Sequence, residues 1–181
     1  MATRGTTLLT LLVVVGAAVA LAAPAGARQG GHVLGLHAER GLGNAILHEM
    51  NAVRRRHGLR RLRTSPALRA AAFAHSRGMA VHGFFRHESS DGSAFWKRVQ
   101  NFYGQGRYPY WSVGENLLWS SPNVDARRAL RMWLASPPHR ANLLDPKWRE
   151  VGLAAVHAPR AGGVYGGSEV TIVTADFGVR R

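Results

Sequence analysis

Glu150-Val151-Gly152-Leu153-Ala154-Ala155-Val156-His157 and Glu169-Val170-Thr171-Ile172-Val173-Thr174-Ala175-Asp176-Phe177 are two short apolar runs. Their length and their valine, isoleucine and threonine content read as strands, and Pro159 to Gly167 between them reads as a long hairpin loop. Helical patterns come first in the chain. Leu42, Ala45, Ile46, Met50 and Val53 recur at helical spacing, and Gly58 closes that helix. Ser65-Pro66 reads as an N-cap followed by proline in the first turn, opening a helix through Leu68, Ala71, Ala72, His75 and Met79 toward Gly83. Residues 93–100 form a short third helix, with Trp96 and Val99 facing inward. Residues 101–112 read as an aromatic, glycine-containing loop. Asn123 caps a helix running to about Ala135, with Leu130 and Trp133 on its inner side. Helices followed by antiparallel strands give an α+β layered domain.

The first residues carry a processing signal. Arg4 precedes an apolar run from Leu8 to Ala23, and Ala25-Gly26-Ala27 is a small-x-small cleavage word. The other reading is a membrane anchor, for which the run is near the lower length limit. The expected organisation is a secretory signal peptide at 1–27, a flexible lead-in at 28–40, and one domain at 41–181. No other stretch is apolar enough to cross a bilayer, so the expectation is a secreted, extracellular, monomeric protein with no transmembrane anchor after cleavage. The chain has no cysteine, which excludes disulfides, thiol catalysis and cysteine-ligated zinc. An ordinary hydrophobic core must hold the domain, and about 150 residues suffice for one.

Charge is the strongest compositional feature. The chain is +14, and the leader accounts for one of those charges through Arg4, leaving +13. Arg54, Arg55, Arg56, Arg60, Arg61 and Arg63 form a dense cluster at a helix end. Read as a polyanion patch, it suits an anionic envelope component, lipid headgroup or wall polymer, rather than a specific nucleic acid. Read as structure, it complements a helix C-terminus and faces water.

Three words carry candidate chemistry: Arg86-His87-Glu88-Ser89, Gly114-Glu115-Asn116-Leu117 and Ser136-Pro137-Pro138-His139-Arg140-Ala141-Asn142. Each is expected at an element end or in a turn. Two imidazoles and a carboxylate can hold zinc or another divalent metal, with a position open for water. They can equally form an acid/base pair with an orienting carboxylate, or stand apart as unrelated loop residues. The remaining histidines read as packed or capping residues, His48 and His75 among them. There is no H-E-x-x-H word, no G-x-S-x-G elbow and no glycine-rich phosphate loop followed by lysine. Aromatic residues crowd the middle third, from Phe84 to Trp119, and read mainly as core, with some lining a groove.

The order of these words resembles the CAP superfamily of cysteine-rich secretory, antigen 5 and pathogenesis-related proteins, in its cysteine-free bacterial branch. The resemblance runs from Ile46-Leu47-His48-Glu49-Met50-Asn51 through Phe85-Arg86-His87, Asp91-Gly92-Ser93 and Gly114-Glu115-Asn116-Leu117. It continues through Trp133, His139-Arg140-Ala141-Asn142-Leu143 and Glu150-Val151-Gly152 to Asp176-Phe177-Gly178. It implies a three-layer α/β/α sandwich with a small antiparallel sheet. It also implies a cleft of His87, Glu115 and His139, with Ser136 standing where the family carries a second glutamate, and Glu88 as a nearby candidate substitute. The functions implied are extracellular binding of lipid, sterol-like or other amphiphilic small ligands, with a divalent metal in some members. The alternative is a metal-assisted, protease-like hydrolase using His87, Glu115 and His139.

Overall fold

The computed structural model describes residues 35–181. The expected signal peptide at 1–27 and the start of the lead-in lie outside the described residues. Within the lead-in, His37–Ala38 form a two-residue strand, β1. Helix α1 spans Arg40–Arg56 and buries Ile46, Met50 and Val53. After it comes the short strand β2, Arg63–Thr64. Helix α2 spans Pro66–His82 and begins as its sequence dictates. The Ser65 side chain accepts from the Leu68 N–H, and Pro66 occupies the first turn, where a missing N–H costs nothing. Gly83 ends it at φ +66°, a left-handed conformation that glycine adopts without steric cost. Helix α3 is Phe95–Phe102 and strand β3 is Trp111–Ser120. Helices α4 (Ala126–Ala135) and α5 (Pro137–Leu143) precede the long strands β4 (Glu150–Ala161) and β5 (Ser168–Arg180). The β4–β5 connection contains a 3-10 turn at Gly163–Tyr165.

The sheet order is β1-β4-β5-β3, with β2 lying parallel beside β4 and the other pairs antiparallel. Alternation along β5 assigns its two faces. Val173, Ala175, Phe177 and Val179 join Ile46, Met50 and Val53 of α1 and Leu130 and Trp133 of α4 in one core. Val170 and Ile172 pack with Met79, Ala80 and Phe84 on the α2 side, where Leu68, Val99 and Tyr103 extend the layer. The result is the α+β, three-layer α/β/α sandwich that the order of patterns and the resemblance called for.

Three local expectations change. Gly114-Glu115-Asn116-Leu117 is no turn; it is the middle of β3, which runs in register with β5 from Trp111↔Arg180 to Ser120↔Thr171. Gly, Glu and Asn are poor strand formers, and the pairing overrides their propensity. Helix α4 is capped by Asp125, whose carboxylate accepts from the Arg128 N–H at 2.8 Å, rather than by Asn123. The Ser136–Asn142 word is mostly helix α5 rather than a loop.

Candidate functional site

Glu115 sits at the centre of β3, opposite Asp176 of β5, which is in turn opposite Gly152 of β4. The Glu115 carbonyl accepts from Asn142 Nδ2 at 3.2 Å. It therefore points away from β5, and Glu115 and Asp176 form a non-hydrogen-bonded pair, the kind whose side chains come closest. Both carboxyls face α2. His75 approaches from α2, His87 from the segment after it, and Arg98 from α3.

His87 Nδ1 lies 2.8 Å from Glu115 Oε1, and the Arg98 guanidinium pairs with Glu115 Oε2. Arg98 also donates to the His87 carbonyl and to Ser89 Oγ, both at 3.2 Å. His75 Nε2 donates to the Arg86 carbonyl at 2.9 Å and stands 3.9 Å from Glu115 Oε1. The Glu115 side chain is 1% exposed. Burial alone would push its carboxyl up, but the His87 hydrogen bond and the Arg98 charge outweigh that and hold it below the ordinary range. Burial pushes His75 down to about 4, against the pull of Glu115, so the ring is neutral near pH 7. Asp176 is fully buried, and neither oxygen has a hydrogen-bond partner. Burial and then the Glu115 charge raise it well above a normal aspartate, which favours the protonated form.

His139 comes from α5. Asn116 Nδ2 donates to the His139 carbonyl at 3.0 Å, and Asn142 Nδ2 donates to Asn116 Oδ1 at 2.9 Å. Burial, and then the nearby charge of His87, lower the His139 pKa. Gly114 is part of the same joint: a Cβ there would stand 2.7 Å from Asn142 Oδ1 and from the Trp148 ring. In Gly114-Glu115-Asn116, glycine makes room for α5, glutamate enters the site, and asparagine fastens α5 to the strand.

The family model of cysteine-rich secretory proteins, CAP, matches residues 47–177. The chain belongs to the CAP family. The CAP domain here is 30% identical over 108 residues to YlbC, an uncharacterized membrane protein of Bacillus subtilis strain 168, a match that takes in 60% of this chain and 30% of that one. The chain thus spans less than a third of that relative's length. Among solved structures it is similar to an extracellular protein containing a SCP domain from Bacillus anthracis. That match has TM-score 0.60 and 28% identity, and covers 79% of this chain and 41% of the other. It shares its fold with an outer surface protein of Borrelia burgdorferi, with TM-score 0.61, 16% identity, and coverage of 80% of this chain and 98% of that one.

Of the residues singled out in the sequence, His87 and Glu115 touch. His139 lies on α5 beside them but is not a partner of Glu115 among the described residues. Ser136 ends α4 and starts α5, and its side chain makes no capping hydrogen bond. Glu88 is exposed. Among the described residues no group of three or more His, Asp or Glu side chains is arranged to hold a metal ion. The donor set at Glu115 does not suit a metal as it stands: one oxygen is paired with His87, the other with a permanent cation, and the fourth position is a serine. Three members of the site escaped the sequence reading. His75 reads as a packed helical residue and Asp176 as part of a strand, and nothing in the sequence singles out Arg98. Only the strand register and the α2–α3 layer bring them to Glu115.

The arginine cluster also needs correction. Arg54 is 0% exposed. Its guanidinium donates to the carbonyls of Arg60, Leu143 and Asp145, so it ties α1 to the segment that follows it, to the end of α5 and to the loop after α5, and is no part of a surface patch. Arg55, Arg56, Arg60, Arg61 and Arg63 are exposed.

Proposed function

We propose that this CAP protein works outside the cell as a binding module for an anionic amphiphile. The observation that carries this reading is a groove of about 340 Å³ on the open edge of β4, between the starts of α1 and α2. Its apolar wall includes Pro66, Ala70, Phe73 and Leu153, and Arg40 and Arg69 stand among its lining residues. Phe73 is 37% exposed, a large apolar surface left in contact with water. Glu39 also lines the groove, but its carboxylate engages His37 at 2.9 Å. Arg69 donates to Asn44 Oδ1 at 2.8 Å, and its shielded Nε has no partner. Guanidinium groups beside an apolar wall match a carboxylate or phosphate head on a short alkyl chain. The site of binding is thus distinct from the His87–Glu115 cleft.

An added peptide strand fits the groove poorly. β4 is paired with β1 at one end and β2 at the other, leaving only a short gap. Within the gap α1 crowds the Leu153 carbonyl: a Cβ on Gly43 would be 3.0 Å from it. The extracellular part of the proposal draws on the leader-like start of the chain and on the extracellular Bacillus anthracis protein. Metal-assisted hydrolysis draws no support from the donor set at Glu115.

Displacement of dansyl-undecanoic acid from the purified domain tests the proposal. Ala70→Trp, which fills the groove, and the pair Arg40→Gln with Arg69→Gln should each weaken binding at least about tenfold, or roughly 1.4 kcal/mol. His87→Ala should leave it unchanged. No uptake of the probe, or binding indifferent to Ala70→Trp, would overturn the groove; loss with His87→Ala would move the ligand to the His/Glu cleft.

A further inference from the structure

One end of the sheet gathers arginines that are far apart in sequence. Arg63 of β2 is paired with Glu150 at the start of β4, and Glu150 is paired with Gly178 near the end of β5. Arg180 lies two residues beyond Gly178, so Arg63 and Arg180 share the face that carries α2 and α3. Two strand spacings and two residues separate them, about 12 Å. Glu150, between them, accepts from the Tyr103 hydroxyl at 2.6 Å.

The segment after α3 is fastened to the same end. The Arg180 guanidinium donates to the Gly104 carbonyl at 3.1 Å. It lies 3.9 Å from the centre of the Tyr103 ring and 5.4 Å from that of Tyr108. Just beyond the strand ends, Tyr110 and Arg181 exchange both backbone hydrogen bonds, at 2.8 and 3.1 Å. The Arg181 guanidinium stands 4.8 Å from the Tyr110 ring centre. Each of these distances is within cation–π reach.

Both the rings and the charges here are left facing water. Phe102, Tyr108 and Tyr110 are three of the seven large apolar side chains that stay exposed among the described residues, so a short stretch holds a large share of them. The arginine and lysine side chains in ion pairs, among the described residues, are Arg98, Arg127 and Lys147. Arg63, Arg107, Arg180 and Arg181 therefore have no carboxylate of their own. Residues 92–114 and 177–181 contain no Asp or Glu that could supply one.

We propose that this end of the sheet binds an acidic polysaccharide. The planar guanidinium fork suits the carboxylate, sulfate or phosphate groups of such a chain. An aromatic ring is electron-rich on its face, and a sugar ring presents C–H hydrogens to it. Phe102, Tyr108 and Tyr110 thus suit the sugar rings between the acidic groups. Stacking and backbone pairing hold cations and rings in place before a ligand arrives, which lowers the ordering cost of binding. A bilayer calls for a continuous apolar surface, and here arginines stand among the rings. Single-stranded nucleic acid uses the same two elements; the extracellular placement proposed above favours the polysaccharide. The surface shares no residue with the β4 groove or the His87–Glu115 cleft.

Titration calorimetry with heparin, a sulfated polysaccharide, tests the proposal, with neutral dextran and an oligothymidine of equal charge as comparisons. Heparin should bind, dextran should not, and oligothymidine should bind more weakly than heparin. The pair Tyr108→Ala and Tyr110→Ala leaves net charge unchanged and should weaken heparin binding at least about tenfold. The pair Arg107→Gln and Arg181→Gln should do the same. Arg128→Gln with Arg131→Gln removes equal charge from exposed positions on α4, and should change binding less than about twofold, because separated surface charges are screened. Circular dichroism and urea midpoints verify that the variants fold. Equal losses from the two arginine pairs would reduce the effect to net charge and overturn the proposal. So would heparin binding indifferent to the tyrosine pair, or no heparin binding by the parent. Preference for oligothymidine would overturn it in favour of nucleic acid.

Discussion

Glu115 is ionised in the interior because Arg98 and His87 are there with it. Arg98 itself is 9% exposed at the side chain, so neither charge has water as an alternative partner. Removing one member of a buried pair strands the other and costs about 3–5 kcal/mol. Arg98→Met should therefore lower the stability measured by urea unfolding by about that amount, and adding Glu115→Gln should restore much of it. Additive losses in that double-mutant cycle would mean that the two groups are energetically independent. His75 and Asp176 contribute opposite pH dependences. The His75 pKa is about 4 in the fold against about 6.5 when unfolded. Between those values the unfolded chain binds the extra proton, so stability falls as pH drops from about 6.5 to 4 and levels off below, by on the order of 3 kcal/mol in full. Asp176 is raised in the fold. Its proton stays on from about pH 4 upward, so its contribution declines as pH rises toward the folded value. His75→Gln should remove the first slope and Asp176→Asn the second, both read as urea midpoints from about pH 4 to 7. An unchanged acid slope in His75→Gln would place that titration elsewhere.

At the level of elements, the contact of α2 with β4 sets the site. A Cβ on Gly152 would lie 2.0 Å from the Arg69 nitrogen and from the Leu68 carbonyl carbon, backbone atoms that cannot turn aside. Glycine lets the first turn of α2 rest on the strand, and the same helix carries His75 over Glu115. Gly152→Ala must lift α2 from the sheet. Overpacking of side chains costs about 1–3 kcal/mol, and a clash with backbone should reach about 3 kcal/mol or more. The check is the urea midpoint, together with loss of the depressed His75 titration by NMR. A stable Gly152→Ala protein with an unchanged His75 would show that α2 can move without disturbing the site.

For the whole molecule, charge is the open variable. Removing Arg54 from the cluster leaves five exposed arginines at the end of α1 and in the segment after it. If they engage anionic surfaces, binding to phosphatidylglycerol vesicles should weaken steeply with salt, because the Debye length is only about 8–10 Å near physiological ionic strength. Replacing Arg55, Arg56, Arg60 and Arg61 with Gln should abolish that binding with little loss of stability, since exposed changes cost within about 0.5 kcal/mol each. Arg54→Gln should do the reverse, costing about 3 kcal/mol through its carbonyl partners while leaving vesicle binding intact. Salt-independent binding, or binding untouched by the four substitutions, would make these arginines a solvated helix end.

Much of this protein was legible in the chain before any coordinates. Helical spacing, the Ser65-Pro66 start, the Gly83 stop and the β-branched runs at 150–157 and 169–177 are local signals, produced by backbone sterics and side-chain period. They determined α1, α2, β4 and β5, and with them the layer type. Tertiary structure decided the rest, because it depended on partners distant in sequence. β3 is a strand because β5 pairs with it, against the propensity of Gly114, Glu115 and Asn116. Arg54 is buried because the segment after α5 folds onto it, although the local sequence shows only one arginine among six. The site needs Asp176 opposite Glu115, His75 above them and Arg98 beside them. A buried charge is tolerable only where opposite charges and donors converge, and that convergence is a property of register and packing that no single stretch of sequence contains.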